Sequence, residues 1–382
     1  MAKKRGNKPK VSILMPACNV EKYIEECLNS VIAQTLEEIE IICIDDGSRD
    51  GTGEILDKFK SRDSRIEVIH KENTGYGHSM NVALEKARGD YIGIVETDDF
   101  IEPEMFEVMY NTAISNDADV VKTNYFDYYS QKTPNNVKKR NLDIVNKYNE
   151  VISPGENQNI FMVSPSIWSG IYRTEMIREN DISFMETPGA SYQDTAFAFK
   201  IWACADRIYL TEDAFLHYRR DNESSSVNSP HKVFCVCDEY NEIERFLLEH
   251  NKEKFLDIKY GVQFNTYRWN YRRLGVEYRY AFLLKIIETY KDKYAKGKLQ
   301  KNCFKPTQYE ELGQILEDAQ TYFLSTSKKK MGNKESVAAL LEENKKLKKK
   351  IKRIRESKSF RIGKAITFIP RKLHKKKWSC NI

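Results

Sequence analysis

The sequence predicts an α/β protein in which a mainly parallel sheet is flanked by helices, with a C-terminal helical appendage and a basic tail. Strand and helix patterns alternate from residue 10 to residue 125, an order typical of parallel sheets. The strand patterns are short apolar runs, as expected where helices cover both faces of a sheet. From residue 231 to residue 325 the pattern is helical and rich in tyrosine.

Apolar runs predict the strands, and apolar residues recurring every three or four positions predict the helices. The predicted strands are residues 10–16, 40–44, 66–69, 91 onward and 119–125, and the predicted helices are residues 20–34, 53–60, 77–87 and 104–115. We expect Asn19 to cap the first helix, because its side chain can accept a hydrogen bond from the first helical N–H groups. Residues 130–150 are polar without clear periodicity, which predicts an exposed excursion.

Charge is distributed unevenly along the 382 residues, whose net charge is +6. The segment from Lys345 to Lys377 contains 16 lysines and arginines and a single acid, Glu356. Residues 1–10 add five more basic residues, so the remainder of the chain is acidic. An acidic body with basic ends is typical of a soluble domain that carries attachment segments.

The eight cysteines show neither a paired framework nor the spacing of a zinc site, which predicts thiols in a reducing compartment. The basic N-terminus lacks the apolar run of a signal peptide, and no stretch approaches the roughly 18–20 apolar residues of a membrane span. We therefore expect a cytoplasmic protein that is peripheral at the inner face of the cell membrane.

An apolar heptad pattern near the C-terminus predicts a short coiled coil over residues 334–358. Its core positions are Val337, Leu340, Leu347, Ile351 and Ile354, with Asn344 at one further core position. A buried asparagine fixes partner number and alignment in such a coil, so the segment predicts a homo-oligomer. A solitary surface helix is the alternative interpretation.

Residues 359–382 form a basic tail in which apolar side chains alternate with lysines and arginines. Such a segment can lie on an anionic membrane surface. Nucleic acid is the competing partner for a polycation. The apolar residues of the tail favour the membrane, so we expect no nucleic acid partner, and flotation with anionic liposomes tests this expectation.

Three acids follow the fourth predicted strand: Glu96, Asp98 and Asp99. A strand buried on both faces delivers them to the edge where open parallel sheets bind ligands. Adjacent carboxylates repel one another, and a divalent cation that also binds a diphosphate would account for the cluster. The alternative is that the acids cap the helix that follows, which accounts well for one acid but less well for three.

Polar residues also follow the first two strands, so three strand ends converge at one edge of the sheet. Asp45 or Asp46, after strand two, could accept hydrogen bonds from a nucleobase or from ribose hydroxyls, and Gly47 would allow close backbone approach to a ligand. An ordinary Asp-Gly-Ser turn is the alternative. No phosphate-binding loop is present, and residues 73–77 do not fit a dinucleotide fingerprint.

Two segments carry a family resemblance: VSILMPACNVEKYIEECLNSVIAQTLEEIEIICIDDGSRDGT and NTGYGHSMNVALEKARGDYIGIVETDDFIEPEMFE. Together they resemble the nucleotide-sugar half of the family 2 glycosyltransferases, which have the GT-A fold. The resemblance covers residues 10 to 125, about a third of the chain, with several motifs in order.

The resemblance implies roles for individual residues. Asp45 would contact the base, with Asp46 and Gly47 beside it, and the segment from Glu96 to Asp99 would be the metal and ribose motif. Many members have Asp-x-Asp-Asp there, whereas this chain has Glu96 at the first acid. A divalent cation, Mn²⁺ or Mg²⁺, would bind at Asp98 and Asp99. The implied nucleotide-sugar contacts also include Pro16, Ala17 and Asn81.

The resemblance also implies a catalytic base well after the metal motif, and Asp194 is the candidate. It precedes a helical run, so an N-cap is its alternative role. Trp168 could stack on a sugar ring, although a core tryptophan is equally compatible with the pattern. His217 is a further candidate metal ligand, although a single histidine is more often structural.

These observations predict an inverting glycosyltransferase that uses a nucleotide-diphosphate sugar, with UDP as the expected nucleotide. The acceptor would be a glycan or glycolipid in surface polysaccharide synthesis. The alternatives are a sugar nucleotidyltransferase and a non-catalytic, membrane-attached scaffold that binds a nucleotide sugar. The predicted segments are a basic N-terminus (1–9), a GT-A domain (10–228, with halves 10–126 and 151–228), a helical region (229–330), the coiled coil (334–358) and the basic tail (359–382).

Overall fold

The structure is a computed structural model that describes residues 8–187, 189–222 and 233–327, together with residues 342 and 346. The basic tail, nearly all of the basic N-terminus and, apart from residues 342 and 346, the predicted coiled coil lie outside the described residues. The strands are β1 (Val11–Ala17), β2 (Ile39–Asp46), β3 (Ile66–Lys71), β4 (Tyr91–Ile94), β5 (Phe100–Ile101), β6 (Val120–Tyr128), β7 (Asn136–Lys139), β8 (Val151–Ile152), β9 (Gly170–Arg173) and β10 (Ile208–Arg219).

Helices alternate with the strands in the first part of the chain and replace them after β10. They are α1 (Ile24–Ile32), α2 (Thr52–Lys60), α3 (Tyr76–Lys86), α4 (Met105–Ser115), α5 (Thr174–Glu179), α6 (Gln193–Cys204), α7 (Cys235–Glu249), α8 (Leu256–Arg273), α9 (Val276–Ala295), α10 (Gln308–Glu317) and α11 (Ala319–Ser327). The helical pattern predicted for residues 231–325 is confirmed by α7 to α11. No helix in the described part of the chain is long and apolar enough to cross a membrane.

The strands form one sheet in the order β3-β2-β1-β4-β9-β6-β10-β5, with β7 paired to β6 and β8 paired to β10. The first four strands of this order are parallel, and β1 and β2 are buried along their whole length. The α/β prediction of a central sheet flanked by helices is therefore confirmed. Parallel pairing does not continue across the whole sheet, because β9 runs antiparallel to both β4 and β6.

Two local expectations were wrong, each because a tertiary contact overrides a local pattern. Asn19 has a positive φ and accepts a hydrogen bond from the Arg49 N–H, while the N-cap of α1 is Tyr23. Residues 130–150 are not wholly an exposed excursion, because β7 pairs with β6 and Leu142 is buried.

The chain divides into two compact units. The first contains the described residues up to Asn265 together with Gln300–Lys305, and so includes the whole sheet and α7. The second contains Thr266–Leu299 and the described residues from Pro306 onward. In the second unit, α8 and α11 are joined by a hydrogen bond of 2.6 Å between the Tyr271 and Thr326 hydroxyls.

Candidate active site

The three predicted acids lie on a turn, residues 96–99, between β4 and β5; we call it the acid turn. Thr97 Oγ1 donates a hydrogen bond of 2.8 Å to the Pro16 carbonyl, which attaches the acid turn to the end of β1. Ala17, the last residue of β1, is paired in register with Asp45 on β2. The structure therefore brings the ends of β1, β2 and β4 together at one edge of the sheet, as the alternating strand pattern predicts.

Asp99 is the most deeply buried carboxylate of the acid turn, with 1% of its surface exposed. Its Oδ1 accepts a hydrogen bond of 2.8 Å from the Arg219 backbone N–H. Its Oδ2 is buried and has no hydrogen-bond partner among the described residues. Burial, reinforced by the charge of Asp98, raises the pKa of Asp99 well above its usual range. A buried carboxylate with an unpaired oxygen is costly, and a cation would remove that cost.

Asp98 is held by the end of β10 and the chain segment that follows it. Its Oδ2 accepts a hydrogen bond of 2.8 Å from the Asn222 side chain, and its carbonyl accepts one of 2.9 Å from Arg219 Nε. The Arg219 guanidinium also forms an ion pair with Glu26 and lies over the ring of Tyr128. Arg219 is therefore a scaffold of the acid turn, a role that the sequence did not reveal because all of these contacts are distant along the chain.

The acid turn suits a divalent cation that takes few ligands from the protein. Within the described ranges, no group of three or more His, Cys, Asp or Glu side chains is arranged to hold a metal ion. The unpaired Oδ2 of Asp99 and the neighbouring carboxylate of Asp98 are nevertheless hard oxygen donors. Mg²⁺ and similar ions are commonly bound through one or two carboxylates and completed by substrate phosphates and water.

His217 lies on β10, stacked against Phe100 and Phe126. Its Nδ1 is 2.8 Å from Asn136 Oδ1, and its Nε2 is 2.7 Å from Glu102 Oε1. Both ring nitrogens are therefore paired within the protein. The prediction that His217 binds a metal requires one of these hydrogen bonds to break.

Glu96 points to a different neighbour from the two aspartates. Its Oε1 accepts a hydrogen bond of 2.7 Å from the hydroxyl of Tyr76, the first residue of α3. Burial raises the pKa of Glu96 to about 8, the Tyr76 hydrogen bond opposes this shift, and the charges of Asp98 and Asp194 add to it. Tyr76 was not among the predicted site residues; its position at the start of the helix that follows β3, at the same sheet edge, was the available signal.

Asp194 lies in the first turn of α6, and Tyr192 rather than Asp194 occupies the N-cap position. Its charge acts on both Glu96 and Tyr76, so α6 presents Asp194 to the same region as the acid turn. Burial raises the pKa of Asp194 to about 6. A carboxylate with such a pKa is ionised at neutral pH and is still able to accept a proton.

The start of α6 is fixed by Gln193, which is 2% exposed. Its side-chain nitrogen donates hydrogen bonds of 2.8 Å to Thr187 Oγ1 and 3.0 Å to the Gly189 carbonyl. Its side-chain oxygen accepts from the Ser191 N–H. Gln193 therefore holds the loop that orients Asp194.

The two aspartates at the end of β2 have different surroundings. Asp45 accepts hydrogen bonds from the Ser48 N–H, at 3.0 Å, and from His70 Nδ1, at 2.8 Å. Asp46 accepts from the Thr74 and Gly75 N–H groups, at 2.8 and 3.0 Å, and pairs with Lys71.

Asp46 thus organises the loop after β3, whereas Asp45 stays the predicted base contact. Gly47 has a φ of +68°, and a Cβ there would lie 2.8 Å from the Asn73 nitrogen. The close approach at Gly47 is therefore to this loop of the protein itself.

Asn81 and Trp168, two further residues predicted to contact the nucleotide sugar, both contact other residues of the protein. The Asn81 side chain donates to the Phe184 carbonyl at 3.0 Å and accepts from the Phe184 N–H at 2.8 Å. Trp168 stacks on Tyr218 with ring centroids 4.9 Å apart. The turn that carries Trp168 is held by buried Lys122, whose ammonium donates to Ser169 Oγ at 2.7 Å. Sugar contact by Trp168 stays a prediction.

Replacing Gly77 with alanine tests the packing beneath the site. A Cβ at Gly77 would lie 1.8 Å from the Met185 carbonyl oxygen, so α3 and the segment before α6 would have to separate. Although alanine favours helices, we expect Gly77→Ala to reduce the free energy of unfolding by about 2 kcal/mol or more, because backbone overpacking is costly. Urea unfolding measures the change. Gly155→Ala is the control, since the nearest atom to its Cβ is Ser153 Oγ at 3.6 Å; equal stability of the two variants would contradict this packing.

Comparison with known proteins agrees with this geometry. The family model described as "Glycosyl transferase family 2" matches residues 12–179. Glycosyltransferase GlyG of Streptococcus pneumoniae is 31% identical over 222 residues, covering 56% of this chain and 72% of GlyG. Uncharacterized glycosyltransferase EpsJ of Bacillus subtilis is 32% identical, and the match covers 59% of this chain and 64% of EpsJ.

A solved structure shows the same fold. The crystal structure of S. aureus TarS 1-349 in complex with UDP-GlcNAc has a TM-score of 0.59, with 23% identity and coverage of 73% of this chain and 80% of that chain. On the sequence and fold together, the chain belongs to glycosyl transferase family 2.

Proposed function

We propose that this protein is an inverting glycosyltransferase that transfers a sugar from a UDP-sugar to a hydroxyl group of a glycan or glycolipid acceptor, in the synthesis of a surface polysaccharide or glycolipid. The observation that carries the proposal is that hydrogen bonds join the start of α6, which carries Asp194, to the acid turn. The Gly189 carbonyl accepts from the Gln193 side chain at 3.0 Å and from the Tyr76 N–H at 3.3 Å, and the Tyr76 hydroxyl donates to Glu96 at 2.7 Å. Family membership supports the reaction class. The UDP-GlcNAc in the TarS crystal structure supports the choice of nucleotide.

The proposed reaction is a single displacement at the anomeric carbon. The acceptor oxygen forms a bond to that carbon, and the bond from the carbon to the diphosphate oxygen breaks, its electron pair leaving with the diphosphate. Asp194 takes the proton of the acceptor hydroxyl. Attack from the side opposite the diphosphate inverts the configuration, which requires the base and the diphosphate to lie on opposite sides of the sugar.

The nucleotide would lie along the edge formed by β1, β2 and the acid turn. Asp45, fixed by Ser48 and His70, is the candidate acceptor for the base, and Asp98 and Asp99 would hold Mn²⁺ or Mg²⁺. That ion, when bound, neutralises the charge that develops on the diphosphate. Arg219 contributes by holding the acid turn through Asp98 and Asp99.

Release of nucleoside diphosphate from a panel of UDP- and GDP-sugars tests this function. We expect metal-dependent release of UDP from at least one UDP-sugar, increased by a glycan acceptor and abolished by EDTA. Formation of a nucleotide sugar from sugar phosphate and nucleoside triphosphate, with pyrophosphate released, would instead identify a nucleotidyltransferase. Tight binding of a UDP-sugar without release in the presence of any acceptor or metal would indicate a non-catalytic binding protein.

A further inference from the structure

His70 lies beside the nucleotide edge, between two carboxylates. It is on β3, paired in register with Asp45 of β2. Its Nδ1 is 2.8 Å from Asp45 Oδ2, and its Nε2 is 3.2 Å from Asp57 Oδ1 on α2. The imidazole thus joins a buried carboxylate at the strand end to a more exposed one on the neighbouring helix.

This arrangement requires the imidazolium form of His70. Ionised carboxylates only accept hydrogen bonds, so both ring nitrogens must carry a proton to satisfy both partners. A neutral ring would point a lone pair at Asp45 or at Asp57. The hydrogen bond with Asp45, followed by that with Asp57, raises the pKa of His70 above its usual value. The His70 side chain is 45% exposed, so it can exchange its proton with solvent.

His70 and Ser48 together determine the state of Asp45. Burial alone would raise the pKa of Asp45, but the hydrogen bonds from Ser48 and His70 reverse this and lower it below its usual value. The two donors hold separate oxygens, Oδ1 and Oδ2, which fixes the orientation of the carboxylate. Space is also restricted, because a Cβ on Gly53 would lie only 3.1 Å from Asp45 Oδ2.

We propose that His70 is a positioning residue for the nucleotide: protonated and bridged to Asp57, it holds Asp45 ionised and oriented toward the base, so that nucleotide affinity depends on the protonation of His70. This inference rests on the proposed function, because it takes Asp45 as the base contact. The charged groups that act on His70 are Asp45 and Asp57. Deprotonation of His70 breaks one of its two hydrogen bonds and weakens the hold on Asp45.

Calorimetric titration with UDP and, separately, GDP, with Mg²⁺ present and at pH values from 6 to 8.5, tests the inference. For the full-length wild-type protein, we expect UDP affinity to fall about tenfold as pH rises through this range, the scale of one hydrogen bond to a charged group. His70→Asn can donate to Asp45 but does not titrate, so its affinity should be lower at pH 6 and nearly constant with pH. Ionisation of the UDP phosphate is common to all variants and cancels in the comparison.

Asp57→Asn separates a positioning role from a merely structural one. Asp57 is 61% exposed, and its loss should lower the pKa of His70, moving the fall in UDP affinity to lower pH. His250→Gln is the matched control, since His250 pairs with the Phe246 carbonyl at the end of α7; its curve should follow the wild type. Should His70→Asn fail to fold, Asp57→Asn alone decides the question.

The outcomes distinguish this inference from the proposed function. If UDP affinity has the same pH dependence in the wild type, His70→Asn and Asp57→Asn, the proposed role of His70 is wrong. The transferase proposal would remain intact. A folded wild-type protein that binds neither UDP nor GDP at any pH would overturn both.

Discussion

Replacing Asp194 with asparagine is expected to lower the rate of sugar transfer about 1000-fold, within the range that a general base contributes. The amide has nearly the same shape but cannot take the proton of the acceptor hydroxyl. Because Asp194 is in the first turn of α6 and is not its N-cap, the fold should survive the change. Affinity for the UDP-sugar should therefore remain close to that of the wild type, and kcat rather than KM should fall.

The pH dependence of transfer provides an independent check on Asp194. Burial raises its pKa to about 6, and the base works only when it is ionised. The rate should therefore rise with pH up to about 6 and become level above it. Asp206→Asn, at an exposed residue in the loop after α6, is the control and should retain the wild-type rate and profile. A wild-type rate in Asp194→Asn would exclude Asp194 as the base.

The second large effect is expected for Asp99→Asn, which should lower metal-dependent transfer about 100-fold or more, as the loss of a group that stabilises developing charge does. An amide oxygen can still accept the hydrogen bond from the Arg219 N–H, so the acid turn should keep its shape. What is lost is the ability of the unpaired oxygen Oδ2 to bind a cation as part of a charged carboxylate. Initial rates measured over a series of Mn²⁺ concentrations should show that the variant needs more Mn²⁺ than the wild type for half-maximal transfer.

Although Asp99→Asn should lower activity, it should make the metal-free protein less sensitive to high pH. The pKa of Asp99 is raised in the folded protein. The contribution of Asp99 to stability is therefore complete below its pKa in the unfolded state and is lost as pH rises through its pKa in the folded state. Because asparagine does not titrate, the melting temperature of the metal-free Asp99→Asn variant should fall less than that of the wild type as pH rises toward 8. Asp117→Asn, an exposed carboxylate in the loop before β6, is the control. A variant with lower stability and unchanged transfer would show that Asp99 is only structural.

Sequence patterns were sufficient for the strand-helix alternation and for the placement of polar residues at strand ends. Strands buried on both faces are recognisable as apolar runs, and the parallel order of β1 to β4 places Asp45 and the acid turn at one edge. The antiparallel insertion of β9 could not be predicted, because its pairing with β4 and β6 joins segments far apart in the chain.

Residues that hold the site were harder to predict than residues that form it. Tyr76 and Arg219 act through hydrogen bonds to segments distant along the chain, and Gln193 acts through hydrogen bonds within the irregular loop before α6, where no periodicity is present. His217 shows the converse, because its chemistry suits a metal while its neighbours occupy both ring nitrogens. Residue type indicates what a side chain can do, but the partners supplied by the fold determine which role is open to it.

A crystal structure of the protein with Mn²⁺ and UDP, with anomalous diffraction to locate the manganese, tests the central claim most directly. We predict a manganese peak within about 2.2 Å of a carboxylate oxygen of Asp98 or Asp99, with the diphosphate bound to the ion and Asp194 facing it across the space for the sugar. Nucleotide and manganese bound away from the acid turn, or Asp194 directed away from the diphosphate, would contradict the account.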